Sequence, residues 1–173
     1  MSEWKMLTLV GQDKPGIVAK ITSALFEVGA QLGEASMMRL GGNFTIMLMV
    51  KSDRSIEQLN QSIESVVNEM KLTSSFQPIQ ANLHQHEIPD TRITVYGADR
   101  PGIVSKTTTY LLDAGFNIMD LESDVAGTEA EPIYIMHMEG IAAHGPDALE
   151  KAMEQIKMDG VNIDVTPIDV MIG

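Results

Sequence analysis

The stretches "GQDKPGIVAKITSALFEVGAQL" (Gly11–Leu32) and "GADRPGIVSKTTTYLLDAGFNI" (Gly97–Ile118) are two copies of one text. Set in register at an offset of 86, ten of their 22 positions are identical: Gly11, Asp13, Pro15, Gly16, Ile17, Val18, Lys20, Thr22, Leu25 and Gly29 each meet the same residue in the second copy. Lys14/Arg100, Glu27/Asp113 and Gln31/Asn117 differ in size but keep their chemical character. This density of identity in one register makes the chain an internal duplication.

Reading outward, "WKMLTLV" and "RITVY" precede the two copies, and their alternation puts Leu7 and Leu9, or Ile93 and Val95, on one face of a short strand. Inside the repeat, Ile17, Val18, Ile21, Leu25 and Val28 are spaced as one helical stripe, which the second copy restates with Ile103, Val104, Leu111 and Ala114. Pro15 and Pro101 fit the first helical turn. Gly29 and Gly115 fit the left-handed stop. A strand pair follows in each copy. "QLGEASMMRL" and "NFTIMLMV" flank Gly41–Gly42, a hairpin signal, and "NIMDLESDV" and "IYIMHME" flank the longer "AGTEAEP". Ile56, Leu59, Ile63, Val66, Val67 and Met70 line a second helix, matched later by Leu149, Met153 and Ile156. "SFQPIQ" and "VNIDVTPI" close the copies, and their prolines place them at sheet edges or irregular ends.

The order β-α-β-β-α-β, written twice, predicts an α+β chain of two ferredoxin-like domains, each an antiparallel sheet with both helices on one face. The expected limits are residues 1–80 and 92–173, joined by the polar linker "ANLHQHEIPDT" (Ala81–Thr91). A domain of about 80 residues is small for a lone core, so pairing through sheet edges or bare faces is expected, within the chain or in a homodimer.

Composition narrows the function. The 173 residues carry a formal charge of -12, unevenly placed: residues 1–86 hold 8 acids and 7 bases, whereas residues 87–173 hold 16 acids and 5 bases. Such a surface repels phosphate backbones, which argues against direct nucleic-acid binding. With no cysteine there is no disulfide, thiolate metal site or cysteine nucleophile. No apolar run reaches the length of a membrane span, and "MSEWKMLTLV" lacks the marks of a signal peptide. The expected location is cytoplasmic, with no membrane partner.

The repeated loop is the candidate site. It joins a strand to a helix N-terminus, whose outward N–H groups favour a small carboxylate or phosphate. Gly16 and Gly102 would let a ligand approach the backbone. Asp13 and Asp99 put a negative charge beside that anion site, so an α-amino acid, with its ammonium and carboxylate, would satisfy both. The competing reading is that each aspartate only caps its helix.

These loops resemble the opening strand-loop-helix of ACT domains, βαββαβ modules that sense amino acids. A tandem pair filling the chain resembles the glycine cleavage system transcriptional repressor family. The resemblance implies a non-enzymatic regulator in which a small amino acid such as glycine binds at the loop after the first strand and the start of the next strand, with domains set edge to edge. Gly11, Asp13, Pro15 and Gly16 match that loop in the first copy, and Gly97, Asp99, Pro101 and Gly102 in the second. Gln31 and Asn117 match the amide position that follows. The loop position that is often Asn in ligand-binding members is Asp in both copies, an acceptor suited to an ammonium. The family further implies a protein partner that itself binds DNA. The alternative is a ligand-free interaction module built from the same domains.

Other motifs carry less. Gly11 and Gly16 have P-loop spacing, but Ile17-Val18 replaces the required Lys-Ser/Thr. Nothing in the chain calls for a cofactor or a metal. His84 and His86 lack further ligands nearby for zinc, and His137 reads as a packed or paired strand residue. Asp120, Glu122 and Asp124 share a strand face, beside Glu129 and Glu131, as a solvated stripe in preference to a cation site. Met37, Met38, Met47 and Met49 suit core packing or a plastic interface. An acylphosphatase-like enzyme would need a phosphate-gripping Arg at the loop, where Arg100 stands in the second copy and Lys14 in the first. An RNA-binding sheet would need exposed stacking rings, and the chain has only eight Phe, Tyr and Trp.

Overall fold

Strand β1 (Glu3–Gln12) buries Lys5, Leu7 and Leu9 and turns Trp4, Met6, Thr8 and Val10 to its other side, the period of two that the sequence predicts. The computed structural model describes residues 3–80, 87–98, 101–128, 132–157 and 161–168. After β1 come α1 (Ile17–Glu27), β2 (Gln31–Leu40), β3 (Asn43–Ser52), α2 (Ile56–Met70) and β4 (Thr73–Pro78). The second set is β5 (Thr91–Ala98), α3 (Ile103–Asp113), β6 (Phe116–Gly127), β7 (Pro132–Ala142), α4 (Pro146–Lys157) and β8 (Val161–Pro167). The chain divides into two compact units, Met1–His84 and Gln85–Gly173.

Each unit builds one antiparallel sheet, in the orders β2-β3-β1-β4 and β6-β7-β5-β8. Both repeats therefore adopt the predicted ferredoxin-like plan. The closing strands lie at edges and end at Pro78 and Pro167, as their prolines require. Gly41 and Gly42 have φ of 56° and 75° and close the β2–β3 hairpin with two residues, as the sequence predicts.

The cores are separate. Leu7, Leu9, Ile21, Leu25, Leu59 and Ile63 are fully buried in the first, and Ile93, Leu111, Met136, Met138, Leu149 and Met153 in the second. Each such side chain contributes about 1.5–3 kcal/mol by leaving water. Val18 and Val104, expected on the buried stripe, are instead exposed. They sit one residue, a rotation of about 100°, off the Ile17–Ile21–Leu25 line. At the helix ends, Gly29 and Gly115 adopt φ of 76° and 77°. The Gly29 and Ala30 N–H groups return to the carbonyls of Phe26 and Leu25, the left-handed stop expected there. Ile156 lies in α4, but its side chain falls outside the described ones, as do His84, His86, Glu129 and Glu131.

The helices begin in two ways. At α2, Ser55 Oγ accepts from the Gln58 N–H (3.2 Å) while Gln58 Oε1 accepts from the Ser55 N–H (3.0 Å), a complete capping box. At α1 and α3 the cap residue is glycine, and no side chain among the described residues caps either helix.

Candidate functional site

Gly16 and Gly102 stand at the N-caps of α1 and α3 with φ of 90° in both units. That left-handed geometry is why the position is glycine. A Cβ built on either residue finds nothing within 4 Å among the described residues, so the requirement is conformational. Pro15 and Pro101 correct one expectation. They precede the helices in a tight turn, because the left-handed glycine separates them from the first helical residue.

Asp13 does not cap α1. Its carboxylate takes a 3.0 Å ion pair from Arg39 Nε, near the end of β2, and its N–H donates to the Gly42 carbonyl (3.1 Å). Lys14 Nζ donates to the Met70 carbonyl (3.0 Å) at the C-terminal end of α2, where a cation is favoured. Behind it, Lys20 pairs with Glu69 and ties α1 to α2. The loop is thus braced on two sides, by the β2–β3 hairpin and by α2. Asp13 and Arg39 set a carboxylate and a guanidinium beside a helix N-terminus that no side chain fills. Together these groups complement a zwitterion.

Gly11 is constrained by packing. A Cβ there would lie 2.7 Å from Leu72 Cδ2 and 3.2 Å from the Lys71 carbonyl oxygen, so the missing side chain admits the start of β4. Gly97 pairs with Tyr134 and Val161 in the middle of its sheet. Asp99 lies outside the described residues, as does Arg100.

Gln31 and Asn117 are exposed and stand away from the loop of their own unit. Gln31 pairs with Lys51, which pairs with Trp4, whereas Asp13 follows Gln12 at the other end of β1. Eight residues of strand separate those ends, about 27 Å. Asn117 is placed the same way, opposite Ile141 near the start of β5.

The units part company at Arg39. The equivalent residue on β6 is Val125, which pairs with Tyr134 as Arg39 pairs with Phe44. Sequence reasoning missed Arg39, because its role depends on β2 ending beside the loop.

Asp120, Glu122 and Asp124 do share a face, opposite Glu139, His137 and Ile135, and all three are exposed. His137 is paired, 3.1 Å from Thr94 Oγ1. Among the described residues no three His, Cys, Asp or Glu side chains are arranged to hold a metal ion, and no helix is long and apolar enough to cross a membrane. An open groove of about 410 Å³ lies between the C-terminal end of α3 and α4, lined by Tyr110, Asp113, His144 and alanines, away from the α3 N-terminus.

Two βαββαβ units, each with a glycine-started first helix, make the chain a tandem repeat of one ferredoxin-like domain. Residues 6–77 and 91–157 each match the ACT domain model, and the chain belongs to the ACT domain family as a tandem pair. It is 26% identical over 148 residues to the glycine cleavage system transcriptional repressor of Escherichia coli (strain K12), covering 85% of this chain and 77% of that one. A crystal structure of an unknown protein from Galdieria sulphuraria superposes with a TM-score of 0.76 at 21% identity over 98% of this chain and all of the other. A candidate glycine cleavage system transcriptional repressor does so with a TM-score of 0.71 at 15% identity, over 98% and 99%. The chain is thus an ACT-domain protein related to a transcriptional regulator.

Proposed function

We propose that this protein is a non-enzymatic regulator that binds a small amino acid, glycine or one close to it, at its ACT loops and thereby modulates a protein partner that controls glycine-cleavage genes. The Asp13–Arg39 pair beside the uncapped end of α1 carries the reading. An amino acid would offer its ammonium to Asp13 and its carboxylate to Arg39 and the first-turn N–H groups, replacing one ion pair by two. Because Asp13 and Gln31 stand at opposite ends of one sheet, one small ligand does not reach both within the first unit. The charge of -12 supports action through a DNA-binding protein over direct contact with DNA.

To act as a switch the amino acid must favour one arrangement of the protein over another. The test is thermal melting of the full chain against the twenty amino acids, with Asp13→Ala and Asp99→Ala alongside. A ligand at ~100 times its dissociation constant stabilises by about 2.7 kcal/mol, a shift of several degrees at this size. A selective shift that Asp13→Ala loses while still folding supports the proposal, and Asp99→Ala, whose loop has Val125 in the place of Arg39, should keep it.

One observation favours a second reading. Asp13 is already satisfied by Arg39 and Gly42, so the loop can serve purely as a brace in a ligand-free interaction module. A flat melting panel would select that reading.

A further inference from the structure

The helix-free faces of the two sheets are built from opposite chemistry. On the first, the pairs Met6–Met49 and Thr8–Met47 put methionines side by side, and Met38 joins them from β2 opposite Thr45. Trp4 lies over this face because Gly33 leaves room for it: a Cβ on Gly33 would fall 2.8 Å from the indole ring and 3.2 Å from Met49 Cβ. Lys51, the cation at this end, is drawn over the Trp4 ring at 5.7 Å, and Glu34 sits in the adjoining bulge. Met38 and Met47 remain 51% and 49% exposed.

We infer that this methionine face is the contact through which two copies of the chain associate, sheet against sheet about a twofold axis. Three considerations select a second copy as the occupant. First, the face is nearly uncharged and residues 1–86 carry a net charge of only -1, so duplicating it across an axis sets no row of like charges together. A charged partner surface would lose its hydration there and gain no row of counter-charges.

Second, the face is large enough. Three strands of ten residues and one of six, about 4.8 Å apart and rising about 3.4 Å per residue, cover about 590 Å². That approaches the ~800 Å² per partner of a standard stable interface, before side-chain relief is counted. Third, methionines fit a twofold contact, where each side chain meets its own copy and must repack against it. Sheets stack face to face at about 10 Å, the depth that two layers of such side chains fill. This inference is independent of whether the loops bind an amino acid.

The test is sedimentation of the full chain at tens of micromolar, compared with Met38→Asp/Met47→His. The variant installs the residues that the second sheet carries at the same places, Asp124 and His137. The wild type should sediment at twice the chain mass of 18.9 kDa. The variant, checked for folding by circular dichroism, should dissociate with a constant raised about 100-fold or more. A monomeric wild type, or a folded variant that stays dimeric, overturns the inference. Independently of any variant, a soluble paramagnetic probe should leave the Met38 and Met47 methyl signals of the wild type largely unbroadened. Full broadening of both would overturn it as well.

Discussion

Position for position, the outer faces of the two sheets have diverged in chemistry, while their inner faces have exchanged residues and stayed largely apolar. Met6, Met38, Met47 and Met49 of the first sheet stand where Arg92, Asp124, His137 and Glu139 stand in the second. Inside, Leu25 and Leu111 are both fully buried, and Leu7 and Leu9 answer to Ile93 and Val95. The second face is held by hydrogen bonds between side chains, with Arg92 donating to Glu139 Oε1 from both Nε (2.9 Å) and Nη2 (2.6 Å). Duplication preserved what folding needs and released what solvent or a partner sees. The core tolerates little change because every buried atom has neighbours, whereas an outer face is free to become a contact or a solvated surface.

If the cores are equivalent, the largest effects should be symmetric. Leu25→Ala and Leu111→Ala should each cost about 2–5 kcal/mol, with calorimetry showing the mutated unit melting first. Strongly unequal losses would break the equivalence. One core difference puts a polar group where the first unit has an apolar side chain. Thr107, where the first unit has Ile21, is fully buried, and its hydroxyl has no hydrogen-bond partner among the described residues. Thr107→Val removes that hydroxyl at similar volume and should stabilise by about 1–3 kcal/mol, the cost of an unsatisfied buried group. Its signature is a raised melting temperature for the second unit alone.

The helix starts should again behave alike. Gly16→Ala and Gly102→Ala force a side chain into a left-handed backbone and should each cost about 1–2 kcal/mol in denaturant unfolding. The smallest change in stability belongs to Arg39→Val, which gives the first loop the residue of the second. A largely exposed ion pair contributes no more than about 1 kcal/mol, so the melt should barely move while any amino-acid response of the first loop disappears.

Features governed by neighbours in sequence were legible from the start: the two βαββαβ units, the Gly41–Gly42 hairpin, the glycine stops and the edge prolines. Asp13 and Arg39 lie 26 residues apart, and Lys14 and Met70 are 56 apart, so their meeting depends on where β2 and α2 end. Gly11 reads as a loop glycine until Leu72 is seen packed against it. The contrast of the outer faces was half visible, as an acidic stripe and a group of strand methionines. Matching them needed the sheet register, because the longer second hairpin loop shifts the offset from 86 at Leu7/Ile93 to 90 at Leu48/Met138. Gln31 and Asn117 show the converse limit: adjacent to the helix in sequence, they sit far from the loop that the same helix begins.

The account turns on Asp13 and Arg39 as a receptor for an amino acid. Calorimetric titration of glycine into the full chain and into Arg39→Val tests it most directly. Saturable binding to the wild type that is lost or at least tenfold weaker in the folded variant is the predicted result. Equal binding to both proteins, or no saturable heat with the wild type, would contradict it.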